Sequence, residues 1–228
     1  MSRSAMTKIK NSMKRRTDAL SRDQIVEEAI DLLDQSGEAG LTFQALSKRL
    51  ATGPGAIYWH IADKNDLLTA ACDAIVARTM NETLAGGTPK ENVRQLALGI
   101  FDAIDAHPWV GSALASIPGE LPVVRILERI GQQMRALRVR DDALWPVTSA
   151  FLSYILGVGR QNGANAQLAR EKGLDRSTVL SEVSTGWYQL DADEYPFARS
   201  IGAQFRAHDD RIDFLTGIDL ILGGIDTM

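Results

Sequence analysis

Apolar positions recur along this chain at helical spacing almost throughout, and the strict alternation of a half-buried strand is nearly absent. From Ser21, the segment SRDQIVEEAIDLLDQSG places Ile25, Ala29, Leu32 and Leu33 on one stripe and its acidic residues elsewhere. Ser21 is a fitting N-cap and Gly37 a fitting stop. After the Gly40 break, Thr42 can cap a second helix in which Leu46 and Leu50 form an i,i+4 apolar pair. Ala51-Thr52-Gly53 interrupts it, and Pro54 suits the first position of a third helix reaching about His60. A helix of about two turns is unstable alone in water, so packing must hold it, with Ile57 and Ile61 as inward anchors. Asp63 caps a fourth helix with Leu67, Leu68, Ala71 and Ile75 on its apolar face.

Gly86-Gly87-Thr88-Pro89 is the clearest linker in the chain. Beyond it, Val93, Leu96, Ala97, Ile100, Phe101 and Ile104 share a helical face that stops at His107-Pro108. A short segment from Trp109 to Ile117 follows. Pro122 then opens a helix with Val123, Ile126, Leu127, Ile130, Met134 and Leu137 inward. Asp141 or Asp142 caps a longer helix through Phe151, Tyr154, Ile155 and Val158 towards Arg170. Residues 171–194 are polar and mixed, with a short helix near Ser177 to Val183, and the chain is helical again from Pro196. The expected fold class is all-α, with a bundle of about six helices behind the three short ones. The expected division is a basic arm at 1–20, a three-helix unit at 21–66 and a body at 67–228.

Composition sharpens this picture in one respect. The 228 residues carry a net charge of -4, which taken whole argues against a nucleic-acid partner. The charge is unevenly spread: residues 1–65 hold ten Lys/Arg against eight Asp/Glu, whereas the remainder is acidic. Arg3, Lys8, Lys10, Lys14, Arg15, Arg16 and Arg22 face the single Asp18 at the front of the chain. That front end reads either as a polyanion-binding arm or as a solvated tail. A single cysteine, Cys72, among small apolar residues reads as a buried hydrophobe and excludes an internal disulfide or a cysteine-based zinc site. No apolar run reaches the length of a membrane span, and the basic N-terminus lacks an apolar h-region, so a cytoplasmic protein is expected.

The second and third helices, joined by a tight turn, match a helix-turn-helix, in which the second helix crosses the phosphate backbone and the third enters the major groove. Tyr58, Trp59 and His60 are consecutive large amphipathic residues that cannot all point into so small a core. Residues 21–76, and above all LTFQALSKRLATGPGAIYWHIADKNDLL, resemble the DNA-binding domain of the TetR family of transcriptional repressors. The segment FLTGIDLILGGID is similar to the last helix of the family's tetracycline-sensing members. The resemblance implies an N-terminal DNA-binding domain and a C-terminal domain for ligand binding and dimerisation, with a palindromic double-stranded operator as the target of a homodimer. It assigns phosphate contacts to Thr42, Tyr58 and Lys64, with Trp59 and His60 beside them, and a base-reading place to Gln44. Pro54, Gly55 and Ala56 fall at the base-facing start of the reading helix. They bring no hydrogen-bonding side chain, so Gln44, Thr52 and Tyr58 must supply whatever polar reading there is.

A ligand-responsive repressor also needs a small-molecule site in the body. The candidate lining is Phe101, Ile104, His107, Trp109, Leu114, Met134, Trp145, Phe151 and Tyr154, each of which reads more readily as ordinary core, with Trp109 and Trp145 the best candidates for a cavity wall. The resemblance places the two histidines that grip magnesium-chelated tetracycline at Leu114 and Met80, so a more apolar effector is expected, without metal or cofactor. Gly157, Gly159, Gly217, Gly223 and Gly224 each cost roughly 1 kcal/mol inside a helix. They point to close helix approach in a dimer interface around 150–161 and 214–225. An enzyme is not expected: His60, His107, His208 and one cysteine form no nucleophile–base or metal-ligand spacing.

Overall fold

A computed structural model describes residues 20–82, 86–117 and 119–225, and every regular element among them is a helix. The basic run from Arg3 to Arg16 lies outside the described residues. The chain separates into two units, one ending at Ala71 and the other starting at Cys72.

The first unit contains α1 (Arg22–Gly40), α2 (Phe43–Arg49), α3 (Pro54–Tyr58) and the start of α4 (Lys64–Glu82). Ser21 caps α1 in a reciprocal box: its Oγ accepts from the Gln24 N–H at 3.1 Å, and its own N–H donates to Gln24 Oε1 at 3.0 Å. Gly37, expected as the stop, instead takes a left-handed φ of 61° and kinks the helix, which continues for one more turn to Gly40. Thr42 caps α2 by accepting from the Ala45 N–H at 3.1 Å. The turn to α3 passes through Ala51 at φ 49°, a conformation that glycine normally fills. Five-residue α3 is held as anticipated, by fully buried Ile57 with Ile61 just beyond it. Two such isoleucines contribute roughly 3–6 kcal/mol as an upper estimate, which far exceeds what so short a helix has on its own.

The second unit holds the rest of α4 and seven further helices among the described residues: α5 (Pro89–Ala106), α6 (Trp109–Ser116), α7 (Leu121–Ala136), α8 (Asp141–Lys172), α9 (Arg176–Tyr188), α10 (Pro196–Ala207) and α11 (Asp210–Ile225). Thr88 and Glu91 make a second capping box at α5. The long α8 is the axis of this bundle, packing against α5, α6, α7 and α11. The excess over six helices has two sources. Residues 171–194 contain the full helix α9, because the Asp175 carboxylate accepts from the Thr178 N–H at 2.9 Å and Ser184 donates from its buried hydroxyl to the Gly202 carbonyl at 2.7 Å. The terminal stretch is broken by the extended backbone of His208. Cys72 is buried, and desolvation pushes its thiol up to about 12, the behaviour of a small hydrophobe.

Two of the five glycines assigned to a dimer interface are explained within the chain. A Cβ on Gly159 would lie 2.4 Å from Ile104 Cδ1, and one on Gly217 would lie 2.0 Å from the Tyr154 hydroxyl. Gly157, Gly223 and Gly224 have no atom within 4 Å of such a Cβ.

Candidate nucleic-acid interface and ligand groove

The surface around α2 and α3 gathers the residues expected to meet DNA. Gln44, Pro54, Gly55 and Lys64 are exposed, while Thr52, Ala56 and His60 are half-buried. Tyr58 is 55% exposed and Trp59 89% exposed, although Ile57 between them and the core is fully buried. This outcome follows from helical geometry, since successive side chains diverge and only one can face inward. Tyr58 is steadied by the Phe43 ring, whose centroid lies 4.5 Å away. Phe43 was absent from the sequence reading, yet its place next to the Thr42 cap fixes it on the face of α2 that meets α3. Thr42 uses an oxygen lone pair as a cap acceptor, which leaves its hydroxyl hydrogen available.

The cations near this surface are not all loose. Lys64 Nζ donates to the Glu38 carbonyl, so it closes the end of α1 as well as fronting α4. Arg49 is ion-paired with Glu28 and donates to Gln35 Oε1 at 2.8 Å. Lys48 is exposed.

In the second unit the nine predicted ligand residues divide four ways. Phe101, Ile104, Trp109, Leu114, Met134 and Phe151 are buried and fill the bundle core. Tyr154 is half-buried, stacks on Phe214 at 5.6 Å and donates to the Phe214 carbonyl at 3.2 Å. Trp145, expected on a cavity wall, is instead 68% exposed on the outer side of α8. Its helix buries Ala143, Val147 and Phe151, which leaves position 145 on the opposite side.

A groove of about 670 Å³ lies elsewhere in this unit, between the second half of α4 and the outer face of α5. Ile75, Arg78 and Thr79 form one wall, and Leu98, Asp102 and His107 stand on the other. Of the nine residues expected to meet a ligand, His107 alone lines it. A sequence signal for this groove existed: Gln95, Leu98, Gly99, Asp102, Ala103 and Ala106 repeat at helical spacing, offset from the core stripe of the same helix. Asp102 is held by Arg211 of α11 through two hydrogen bonds of 3.1 Å. Asp73 of α4 is bound to Arg125 of α7 by bonds of 2.6 and 3.2 Å, which fixes the groove's α4 wall to the bundle. No group of three or more metal-ligating side chains occurs among the described residues, and no helix there is long and apolar enough to cross a membrane.

Comparison with known proteins bears on this arrangement. Residues 25–71 match the family model described as bacterial regulatory proteins, tetR family. An HTH-type transcriptional regulator from Saccharopolyspora erythraea is 31% identical over 97 residues, which span 42% of this chain and 41% of that protein. The tetracycline repressor protein class C from Escherichia coli is 26% identical over 227 residues, covering 92% of each. The structure of BioQ with its double-stranded DNA operator is 30% identical, with a TM-score of 0.56 over 65% of this chain and 89% of that one. The solved structure of the transcriptional regulator SCO7222, a TetR from Streptomyces coelicolor, is 48% identical with a TM-score of 0.80, covering 90% of this chain and 97% of that one. Likeness of this degree extends through the reading head and the helical body alike, and the chain belongs to the TetR family of transcriptional regulators.

Proposed function

We propose that this chain is a cytoplasmic repressor, not an enzyme, which binds a palindromic operator as a homodimer and leaves it when a small molecule occupies the α4–α5 groove. The observation that carries the DNA reading is the exposure of Tyr58 and Trp59 on a helix whose inward residue, Ile57, is fully buried. Large amphipathic groups that stay open to solvent at the end of a reading helix, Tyr58 braced by Phe43 beneath it, suit contact with phosphate and sugar. Around them Gln44 and Thr52 are the polar readers, Pro54 and Ala56 offer apolar contact to thymine methyl groups, and Lys48 and Lys64 supply charge. BioQ, which resembles this chain, has been captured on its DNA operator, and the tetracycline repressor is a repressor by name.

Dimerisation is supported by the uncovered faces of α8 and α11. Trp145 and Leu168 on the first, and Ile212 and Leu220 on the second, are exposed apolar residues. Gly157, Gly223 and Gly224 on the same two helices leave room for close approach of another chain. The groove suits an effector with an apolar body against Ile75 and Leu98 and a polar end near Arg78 and His107, a more mixed chemistry than the apolar ligand expected from Leu114 and Met80.

Selection from a pool of random duplexes, read by sequencing, tests the whole reading. It should return two inverted half-sites spaced by about one helical turn, roughly 34–36 Å. Recovery of no preferred duplex would refute it. Gln44→Ala should relax base preference at one position of each half-site, whereas Lys48→Ala should weaken all duplexes together and lower the salt slope by about one.

A further inference from the structure

Arg22 belongs by sequence to the basic front end, but its side chain is spent inside the first unit. It is the first residue of α1, immediately after the Ser21 cap. Its Nη1 donates to the His60 carbonyl at 2.6 Å, and its Nη2 donates to Asp66 Oδ1 at 2.8 Å. The other oxygen of Asp66 accepts from the Ala62 N–H at 2.9 Å. One guanidinium therefore joins the start of α1 to the segment that leaves α3 and to the first turn of α4, across 38 and 44 residues of chain.

That segment needs fastening. Helix α3 has only five residues and ends in a turn where the Ile57 carbonyl accepts from the His60 and Ile61 N–H groups, and Trp59 is too exposed to anchor itself. The His60 carbonyl and the Ala62 N–H are the backbone groups that Arg22 and Asp66 take up. Charge-assisted bonds from a planar guanidinium fix direction as well as distance. The charge of Arg22 is also balanced by Asp66, which makes it a poor source of counterion release on DNA.

We propose that Arg22 is a positioning residue for operator recognition. It holds the exit of the reading helix in the pose that presents Tyr58 and Trp59, and it does so without touching DNA. The inference rests on the DNA-binding reading above and names a determinant of its specificity.

The test measures binding of full-length wild type, Arg22→Lys, Arg22→Gln and Asp66→Asn to the selected operator and to a scrambled duplex over a range of salt. Thermal melts confirm that each variant is folded. Arg22→Gln should weaken operator binding about tenfold, the size of a lost charge-assisted hydrogen bond. Scrambled-duplex binding and the slope of log K against log salt should stay unchanged. Arg22→Lys, which keeps a donor for the His60 carbonyl, should recover part of the loss, and Asp66→Asn should reproduce it. A slope reduced by about one in Arg22→Gln would make Arg22 a phosphate contact and overturn the proposal. Unchanged operator binding in both Arg22→Gln and Asp66→Asn would also overturn it, leaving the pair a stability strut. Failure of the wild type to prefer any duplex would instead sink the DNA-binding reading itself.

Discussion

Replacing Gly111 by alanine sets two effects of opposite sign against each other. Gly111 lies inside α6, where alanine is favoured over glycine by about 1 kcal/mol. A Cβ built there, however, would meet the α8 backbone, at 2.8 Å from the Gly159 carbonyl oxygen, 3.1 Å from its carbon and 3.2 Å from Arg160 Cα. All three are main-chain atoms of a long helix, so no side chain can swing aside. Ordinary contact requires the two helices to part by roughly half an ångström, and a radial gap of that size forfeits about a quarter of the dispersion well for each pair it opens. Trp109, Val110, Ala113 and Leu114 are all buried on α6, so the loss is shared by many atoms. Overpacking of this kind costs about 1–3 kcal/mol, which outweighs the propensity gain. The expected outcome is net destabilisation of up to about 2 kcal/mol, or a melting temperature lowered by up to roughly 8 °C for a chain of this size. Urea unfolding followed by far-ultraviolet circular dichroism, at matched protein concentration, measures it. Gly186→Ala on α9, where a Cβ meets nothing within 4 Å, is the control and should gain up to about 1 kcal/mol. If Gly111→Ala were stabilised like Gly186→Ala, the close α6–α8 crossing would be refuted.

Three further outcomes are expected. Ala51→Gly should stabilise the protein by about 1 kcal/mol, because Ala51 sits at φ 49° and a left-handed alanine costs about 1–2 kcal/mol, partly offset by glycine's entropy; a raised melting temperature is the readout. Gly55→Ala should raise the stability of the free protein, since its Cβ would meet open space, yet weaken operator binding several-fold if DNA approaches that backbone. Fluorescence anisotropy beside a melt separates the two effects. Burial tends to raise the Asp210 carboxyl, but the hydrogen bonds from Arg176 and His208 overcome it and hold the group below its usual value. A depressed folded-state value means stabilisation that is complete above the ordinary carboxylate range and lost as pH falls through the folded value. Asp210→Asn should therefore lower stability at neutral pH and make the decline on acidification below about pH 5 shallower than in wild type.

Much of the reading head was legible because its signals are local. Ser21, Thr42 and Pro54 mark helix starts through their own chemistry, and Ile57 and Ile61 were identifiable as anchors because α3 is too short to exist without them. Helix α9 was only partly visible, because its inward positions include Ser184 and its amphipathic stripe is weak; the hydroxyl bond to Gly202 that seats it comes from a residue 18 positions away.

The sequence by itself determined the helical class, the helix-turn-helix and which residues of α3 are left exposed around the buried Ile57, since these depend on caps, period and neighbours within a few residues. Only the tertiary structure decided which glycines serve contacts within the chain, that Trp145 faces outward, that the groove lies on the outer face of α5, and that Arg22 is tied to His60 and Asp66. Periodicity tells how many faces a helix has, whereas the face that meets another helix, and how closely, is settled by contacts between residues far apart in the chain.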